Sequence, residues 1–244
     1  MKENTLFTFG CSYTQDFNDT TIKNYLDYFQ YRGGSFPPAW PTILAEKLNL
    51  NVSNYGIGAA GNDLIFNEIC KHINEIKKDD VVIIGWSYIH RYKWGVDGSD
   101  KWQNLGVGPL IQNLHISEST HEEIVLNRLN PLYLEELYDR INLINHISNV
   151  VGFSVYYWSS EPNFIYDKPH KLRDDKKFLL TDKILHHLDN HIFQIISNKG
   201  GKKINEETNG IVNDTHLGET GHQVQAELFY DHIINYKKQI PKII

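Results

Sequence analysis

Short apolar runs alternate along the chain with longer segments in which apolar residues recur every three or four positions. The apolar runs have the length of buried strands and lie at 6–9, 81–84 and 153–158. A further short strand is predicted at 51–55, where it closes in a glycine-rich turn. The periodic segments predict amphipathic helices at 42–48, 62–76, 134–151, 184–195 and 219–236. This alternation predicts an α/β fold of three layers, α/β/α, with a mostly parallel central sheet.

The segment 87–130 does not continue this alternation. It contains Trp94, Trp102 and several glycines, and its apolar residues have no clear period. A long irregular connection in a compact domain is often a binding loop, so we expect an insertion or lid here. The chain has no repeat and no linker, and 244 residues suit one α/β domain, so residues 1–244 are predicted to form a single domain.

Charge and composition narrow the classes of function. The net charge of -6 disfavours nucleic acid as the main partner, because such binding depends on neutralising phosphates with Lys and Arg. The two cysteines, Cys11 and Cys70, are too few for a disulfide framework or a cysteine-rich zinc site. The chain begins without a signal-peptide pattern, and no apolar run approaches the roughly 18 residues of a membrane span, so we expect a cytoplasmic protein.

Residues that follow the predicted strands are the first candidates for chemistry, because ligands bind beyond the carboxyl ends of parallel strands. Ser12 follows the first strand, and its hydroxyl becomes a nucleophile when a base removes the proton. His216 can be that base, and Asp214 can orient its imidazole. A serine after a strand is more often a turn residue. The joint placement, after the first strand and before the last helix, nevertheless favours a Ser–His–Asp site.

These residues lie in blocks that resemble the SGNH, or GDSL-like, hydrolase family. Gly-Cys-Ser at 10–12 resembles the N-terminal Gly-Asp-Ser block, and the glycine-rich turn at 54–62 resembles the second block. Asp-x-His at 214–216, followed by Gly-His at 221–222, resembles the last block, and the segment 40–48 resembles the first helix. The resemblance covers both ends and most of the first third of the chain.

The resemblance implies a flavodoxin-like sheet and an acyl-enzyme mechanism with Ser12 as nucleophile, His216 as base and Asp214 as its acidic partner. It implies a serine esterase or carbohydrate O-deacetylase that acts on small-molecule or carbohydrate acyl esters and needs neither a metal nor an organic cofactor. An O-acyltransferase would use the same residues. A catalytically silent binding module would keep the scaffold alone.

Three departures from the family pattern bear on the expected site. Cys11 stands where the family has an Asp that is not the nucleophile. The Asp-x-His spacing is one residue shorter than usual, and we favour Asp214 over Asn213 because a carboxylate stabilises an imidazolium better than an amide does. The third block ends in Ser87 where the family has an Asn that donates to the oxyanion.

The oxyanion hole is therefore predicted to consist of the Ser87 hydroxyl and the backbone amides of Ser12 and of Gly58 or Ala59. A hydroxyl rotates and can also accept a hydrogen bond, so Ser87 is expected to be a weaker donor than an amide group. The Ser12 hydroxyl oxygen is expected about 2.6–3.2 Å from a ring nitrogen of His216.

Several other residues have two open interpretations. Asn62, Trp86, His90 and Arg91 are candidate substrate-binding residues, and the last two fit either an anionic substrate group or a surface ion pair. The tryptophans form either a sugar platform or part of the core; they are Trp86, Trp94, Trp102 and Trp158.

Three further motifs each fit either another kind of chemistry or a purely structural role. Cys11 is either a second nucleophile beside His216 or a buried thiol. The glycines at 56–61 fit the spacing of a dinucleotide fingerprint but also a tight turn before a helix. His187 and His191, one helical turn apart, are either metal ligands or part of a solvated helix face.

Overall fold

A four-stranded parallel sheet forms the centre of the molecule. The computed structural model describes residues 3–17, 23–88, 91–95, 102–105, 131–160 and 192–239. The strands of the sheet are β1 (Thr5–Gly10), β2 (Asn51–Gly56), β3 (Val81–Trp86) and β6 (Ser154–Ser159), and a separate antiparallel hairpin consists of β4 (Tyr92–Gly95) and β5 (Trp102–Leu105). The helices are α1 (Lys23–Tyr31), α2 (Trp40–Leu48), α3 (Asn62–His72), α4 (Pro131–Val151), α5 (Ile192–Asn198), α6 (Ile204–Glu207) and α7 (Glu219–Gln239).

The strand order is β2-β1-β3-β6, and every neighbouring pair in this sheet is parallel. The chain moves from β1 outward to β2 and then returns across β1 to β3. The order therefore reverses between β1 and β3, and a crevice at such a switch point is where open α/β sheets bind ligands. Phe9 of β1 is in register with Ile84 of β3, so Ser12 and Ser87 lie the same number of residues beyond this pair.

Alternate side chains of the sheet enter two separate cores. Leu6, Val81 and Ile83 pack with α2, α5 and α7 on one face. Phe7 and Ile84 pack with α3 and α4 on the other face. Because helices cover both faces, the predicted three-layer α/β/α class with a parallel sheet is confirmed.

One predicted bound of α3 is wrong in detail. Gly61 is the N-cap of this helix, with extended backbone, and the Asn62 side chain bonds to the backbone of Ser87. The helix ends at His72, and a 3₁₀ turn follows at Ile73–Glu75, so the helix predicted for 62–76 is one turn too long.

Other sequence predictions fall partly outside the described residues. The segment 87–130 contains the β4–β5 hairpin, and its lid function stays a prediction. The helix predicted for 184–195 is described only from Ile192, where α5 runs to Asn198. The single-domain organisation of residues 1–244 also stays a prediction.

Candidate active site

Ser12 lies in a tight turn at the carboxyl end of β1. The carbonyl of Cys11 accepts hydrogen bonds from the backbone amides of Thr14 and Gln15, at 2.8 and 3.1 Å, so the chain turns sharply after the strand. This turn lies so close to the neighbouring strand ends that side chains would obstruct it. A Cβ on Gly10 would fall 2.2 Å from Thr14 Oγ1, and one on Gly56 would fall 2.3 Å from the Gln15 nitrogen.

Asn54 fixes the same turn from β2. Its Oδ1 accepts hydrogen bonds from the Thr8 hydroxyl at 2.8 Å and from the Gly56 amide at 3.1 Å. Its Nδ2 donates to the carbonyl of Thr14 at 2.8 Å. Asn54 is thus a positioning residue that joins β1, β2 and the Ser12 turn through one side chain.

The structure brings Ser12, His216 and Asp214 into one chain of hydrogen bonds. His216 Nε2 lies 3.0 Å from Ser12 Oγ, inside the range expected from the sequence, and His216 Nδ1 lies 2.7 Å from Asp214 Oδ1. The carboxylate can only accept, so Nδ1 carries the proton and Nε2 is free to accept the proton of Ser12. Ser12 and Asp214 are buried, while the His216 side chain is 23% exposed.

The short Asp-x-His spacing has a local structural explanation. Asp214 Oδ1 also accepts the backbone amide of His216, at 2.8 Å, which forms an Asx turn. One oxygen therefore holds both the backbone and the ring of the same histidine. Burial raises the pKa of Asp214, but the hydrogen bonds from His216 outweigh it and leave the pKa below its usual value. Asn213, the alternative partner, is exposed.

The Asp214–His216 loop is held by pairing with residues 202–205, an arrangement that we call the clamp. Lys203 pairs with Leu217 in an antiparallel bridge. The amides of Ile204 and Asn205 donate to the carbonyls of His216 and Asp214, both at 2.9 Å. The backbone on both sides of the imidazole is therefore fixed outside the sheet.

Glu207 stabilises the start of α7, directly after this loop. Its carboxylate accepts the amides of Glu219 and Thr220, at 3.1 and 2.7 Å, and the Tyr28 hydroxyl at 2.8 Å. An anion at a helix N-terminus is favourable because the amides there lack intrahelical partners. Sequence reasoning missed Glu207, since this cap comes from another helix rather than from the first turn of α7 itself.

Aromatic rings and a second histidine surround the imidazole. The rings of Tyr13 and Tyr25 lie 5.1 and 6.1 Å from that of His216. The buried His222 accepts the backbone amide of Trp40 at Nδ1, at 3.2 Å. Burial, and then the nearby charge of His216, lowers the pKa of His222 to about 3, so this ring is neutral.

Trp40 joins the two halves of the site. Its backbone amide reaches His222 in α7, and its indole Nε1 donates to the carbonyl of Tyr13 at 2.8 Å. Sequence reasoning placed Trp40 only in the first helix and did not predict this connection.

Two groups of candidate oxyanion donors flank Ser12. The first group consists of backbone amides: that of Ser12 itself after β1, and those of Gly58 and Ala59 after β2. Among the described residues, no hydrogen bond uses these three amides. Ala59 has φ of 59°, a left-handed conformation that is uncommon for residues other than Gly and that recurs at functional sites. On the β3 side lies the fully buried Ser87.

Asn62 and Arg91 contact Ser87 rather than open space. Asn62 Oδ1 accepts the Ser87 amide at 2.8 Å, and Asn62 Nδ2 donates to the Ser87 carbonyl at 3.2 Å. Arg91 Nη1 donates to Ser87 Oγ at 3.1 Å, and the guanidinium lies 4.8 Å over the ring of Tyr88. Both side chains therefore brace Ser87, and the substrate contact predicted for them stays a prediction.

Two of the four tryptophans are part of the core rather than of a sugar platform. Trp86 and Trp158 are buried in the cores on opposite faces of the sheet, so neither can stack on a substrate. The side chains of Trp94 and Trp102, together with His90, His187 and His191, lie outside the described residues. Cys11 is buried among apolar side chains, which favours the structural thiol.

A cavity of about 420 Å³ has Tyr13 and Thr215 in its wall, which are next to Ser12 and His216 in the sequence. Ser12, His216 and Asp214 are not among the residues that line this cavity. The rest of the wall is mixed, with aromatic rings and polar groups that include Tyr88, Phe193, Gln194 and Lys203. Burial, followed by the proximity of Tyr88, raises the pKa of Tyr13, so its phenol stays protonated.

Within the described part of the chain, no His, Cys, Asp or Glu side chains gather in a group of three or more that could hold a metal ion. Of the helices described, none is both long and apolar enough to cross a membrane.

No family model and no curated protein matches this chain. Among solved structures, the chain is similar to a protein assigned to the lipolytic G-D-S-L family from Desulfitobacterium hafniense, with 10% identity, 94% and 99% of the two chains covered and a TM-score of 0.41. A G-D-S-L family member from Veillonella parvula has 10% identity, coverage of 97% and 99% and a TM-score of 0.36.

A catalytic mutant of an acetylxylan esterase from Geobacillus stearothermophilus is also similar, with 15% identity, coverage of 95% and 94% and a TM-score of 0.39. At this degree of similarity, the interpretation of the site rests on its own contacts.

Proposed function

We propose that this chain is an SGNH-type serine hydrolase that cleaves acyl esters through an acyl-enzyme. The observation that carries the proposal is the continuous alignment of Ser12 Oγ, the His216 ring and the Asp214 carboxylate, at 3.0 and 2.7 Å. An unprotonated Nε2 directed at a hydroxyl is the arrangement that general-base activation of a serine requires.

In this mechanism, Ser12 Oγ attacks the acyl carbonyl carbon while His216 Nε2 accepts its proton. The backbone amides of Ser12 and of Gly58 or Ala59, with Ser87, hold the resulting oxyanion. The imidazolium then protonates the leaving alcohol as the ester bond breaks, which leaves the acyl group on Ser12. A water molecule, deprotonated by His216, then attacks the acyl carbon. The bond from this carbon to Ser12 Oγ breaks as the imidazolium returns its proton to Ser12 Oγ, and the acid is released. Asp214 stabilises the imidazolium in both steps.

The wall of the adjacent cavity favours a carbohydrate as the alcohol. Aromatic rings such as Tyr13 and Phe193 can pack on the C–H face of a sugar, and Gln194, Lys203 and Thr215 can bond to its hydroxyls. A volume of about 420 Å³ is ample for a sugar unit and its ester. We therefore propose that the chain is a carbohydrate O-deacetylase or a related short-chain esterase.

The test is hydrolysis of p-nitrophenyl acetate, butyrate and octanoate and of a peracetylated monosaccharide by the full chain. We expect the acetates to be cleaved best, and Ser12→Ala to abolish turnover. Ser148→Ala is the matched control, because Ser148 is a buried serine of α4 that donates only to the Asn145 carbonyl within its own helix. A fluorophosphonate should add its mass to the unaltered chain and not to Ser12→Ala.

Other results would point to the alternatives. Absence of both hydrolysis and adduct in the folded chain would contradict the proposal and favour a silent binding module. Adduct formation with slow hydrolysis, accelerated by an added sugar alcohol that becomes acylated, would identify an acyltransferase.

A further inference from the structure

We infer that Arg91 is a positioning residue that turns the Ser87 hydroxyl into a fixed hydrogen-bond donor for the oxyanion. This inference rests on the proposed function and adds a residue to its mechanism. It also explains how a chain that lacks the amide side chain of the family's third block can stabilise the transition state.

The hydrogen bond between Arg91 and Ser87 determines which way the hydroxyl can act. A guanidinium has only donors, so Ser87 Oγ must accept at the 3.1 Å contact with Arg91 Nη1. This contact leaves the hydroxyl proton of Ser87 for a different acceptor, which an acyl oxygen can supply only once substrate binding opens the fully buried Ser87. A serine is a weak oxyanion donor because its hydroxyl rotates and because it can accept a hydrogen bond instead of donating one. The contact with Arg91 reduces both effects.

The position of Ser87 in the sheet fits this role. Ser12 and Ser87 each lie three residues beyond the registered pair Phe9 and Ile84, at the carboxyl ends of the neighbouring strands β1 and β3, where the strand order reverses. The amides of Gly58 and Ala59 follow β2, which lies on the other side of β1. The oxyanion of a Ser12 adduct would thus have donors on both sides of β1.

Ser87 is also held by its backbone. Asn62 bonds to both its amide and its carbonyl, at 2.8 and 3.2 Å. The Arg91 amide donates to the Tyr88 carbonyl at 3.1 Å, which holds the Arg91 backbone close to Ser87. Gly61 permits the close approach of Arg91, since a Cβ on Gly61 would lie 2.7 Å from the Arg91 carbonyl oxygen.

During the reaction, the Ser87 proton remains on Ser87. The carbonyl oxygen of the substrate gains negative charge when Ser12 attacks, and the Ser87 O–H bonds to it more strongly than to the ground-state carbonyl. The positive charge of Arg91 polarises the hydroxyl in the same direction. The contact is therefore expected to affect kcat more than KM.

The experiment is a double-mutant cycle on p-nitrophenyl acetate with Ser87→Ala, Arg91→Met and the double variant, each checked for folding by circular dichroism. We expect Ser87→Ala and Arg91→Met each to lower kcat by about tenfold to a hundredfold with little change in KM. In the Ser87→Ala background, Arg91→Met should change kcat by less than about threefold, because the group through which it acts is gone.

Arg91→Lys and Arg140→Met complete the design. Arg91→Lys retains a donor and should recover part of the lost kcat. Arg140 is a partly buried arginine of α4 that pairs with Asp63 and lies over Phe66, so Arg140→Met controls for general loss of an arginine and should leave kcat unchanged.

A second measurement covers the case in which Arg91→Met folds poorly. The affinity of Arg91→Lys for a phenylboronic acid, which forms a tetrahedral anion on the nucleophile, should fall, while its KM stays constant. Full kcat in folded Arg91→Met, or equal losses in both backgrounds, would overturn the role of Arg91 while the Ser12→Ala result still supports the hydrolase. Loss of the Ser12→Ala effect itself would instead overturn the proposed function.

Discussion

The two halves of the candidate site are constructed on different principles. The nucleophile half, around Ser12, is formed by the carboxyl ends of β1 and β2, and its geometry depends on close backbone approach at Gly10 and Gly56. The base half, around His216, lies outside the sheet and is held by the clamp and Glu207. The sheet fixes the nucleophile through the global fold, whereas local pairing fixes the base.

This difference implies that substitutions in the two halves affect stability and activity differently. A change in the backbone geometry of the nucleophile half must disturb strands that belong to both cores, so it affects stability and activity together. A chemical change in the base half can remove activity from a stable protein. Three predictions, in order of decreasing effect, test this contrast.

The largest effect is expected from Asp214→Asn in the base half. The amide cannot balance the imidazolium and favours the wrong imidazole tautomer, so kcat should fall by about 10⁴ with little loss of stability. Asn213→Ala should keep most of the activity, because Asn213 is exposed. Steady-state kinetics and thermal unfolding of both variants decide the matter, and equal losses of activity would show that the Asp-x-His spacing has been misread.

An intermediate effect is expected from Gly10→Ala in the nucleophile half. The new Cβ would fall 2.2 Å from Thr14 Oγ1, so the Ser12 turn must shift. We expect kcat to fall by about tenfold to a hundredfold and the free energy of unfolding by about 1–3 kcal/mol.

Gly210→Ala is the matched control for this substitution. Gly210 has φ of 81°, and a Cβ there would meet nothing within 4 Å. It should cost about 1 kcal/mol of stability through backbone strain and leave kcat unchanged. Activity that survives Gly10→Ala, or falls equally in Gly210→Ala, would contradict the importance of close approach in the Ser12 turn.

The smallest effect on activity is expected at His222, which connects α7 to Trp40 and so joins the halves, and the prediction here concerns stability. Its pKa is about 3 in the folded protein and about 6.5 in the unfolded chain, so its contribution to stability is complete above about pH 6.5 and is lost as pH falls toward 3. Over this window, the free energy of unfolding should fall by up to about 1.4 kcal/mol for each pH unit from this group alone.

His222→Asn should flatten this pH dependence, because an amide oxygen can still accept the Trp40 amide and does not titrate. Urea unfolding of both proteins from pH 4 to pH 7 measures the difference in slope. Identical slopes would mean that His222 does not stay neutral in the fold, and that Trp40 has another acceptor.

The sequence predicts the sheet better than the contacts that complete the site. The four strands of the described sheet are predicted within two residues at each end. Apolar runs identify the buried strands β3 and β6, whereas the mostly polar β2 is identified by the glycine-rich turn that follows it. Ser12, His216 and Asp214 are recognisable from their places relative to predicted elements. Other contacts join polar residues of different elements, such as Glu207 with α7 and Asn62 with Ser87. Neither a periodic pattern nor a sequence motif predicts such contacts. The 3₁₀ turn after α3 is hidden for a related reason, since Ile76 keeps the apolar spacing of the helix after the helix has ended.

The clamp has a consequence for how the molecule opens. Residues 202–205 and 214–218 pair within a span of less than twenty residues, so this part can detach and reform without separating any strands of the sheet. Hydrogen exchange at the amides of Ile204, Asn205 and Gly218 would then follow one shared opening, faster than exchange in β1 and β3. While this loop is detached, His216 is away from Ser12, so inactivation on warming would precede the melting of the core, and cooling would restore activity at the speed of a local closure.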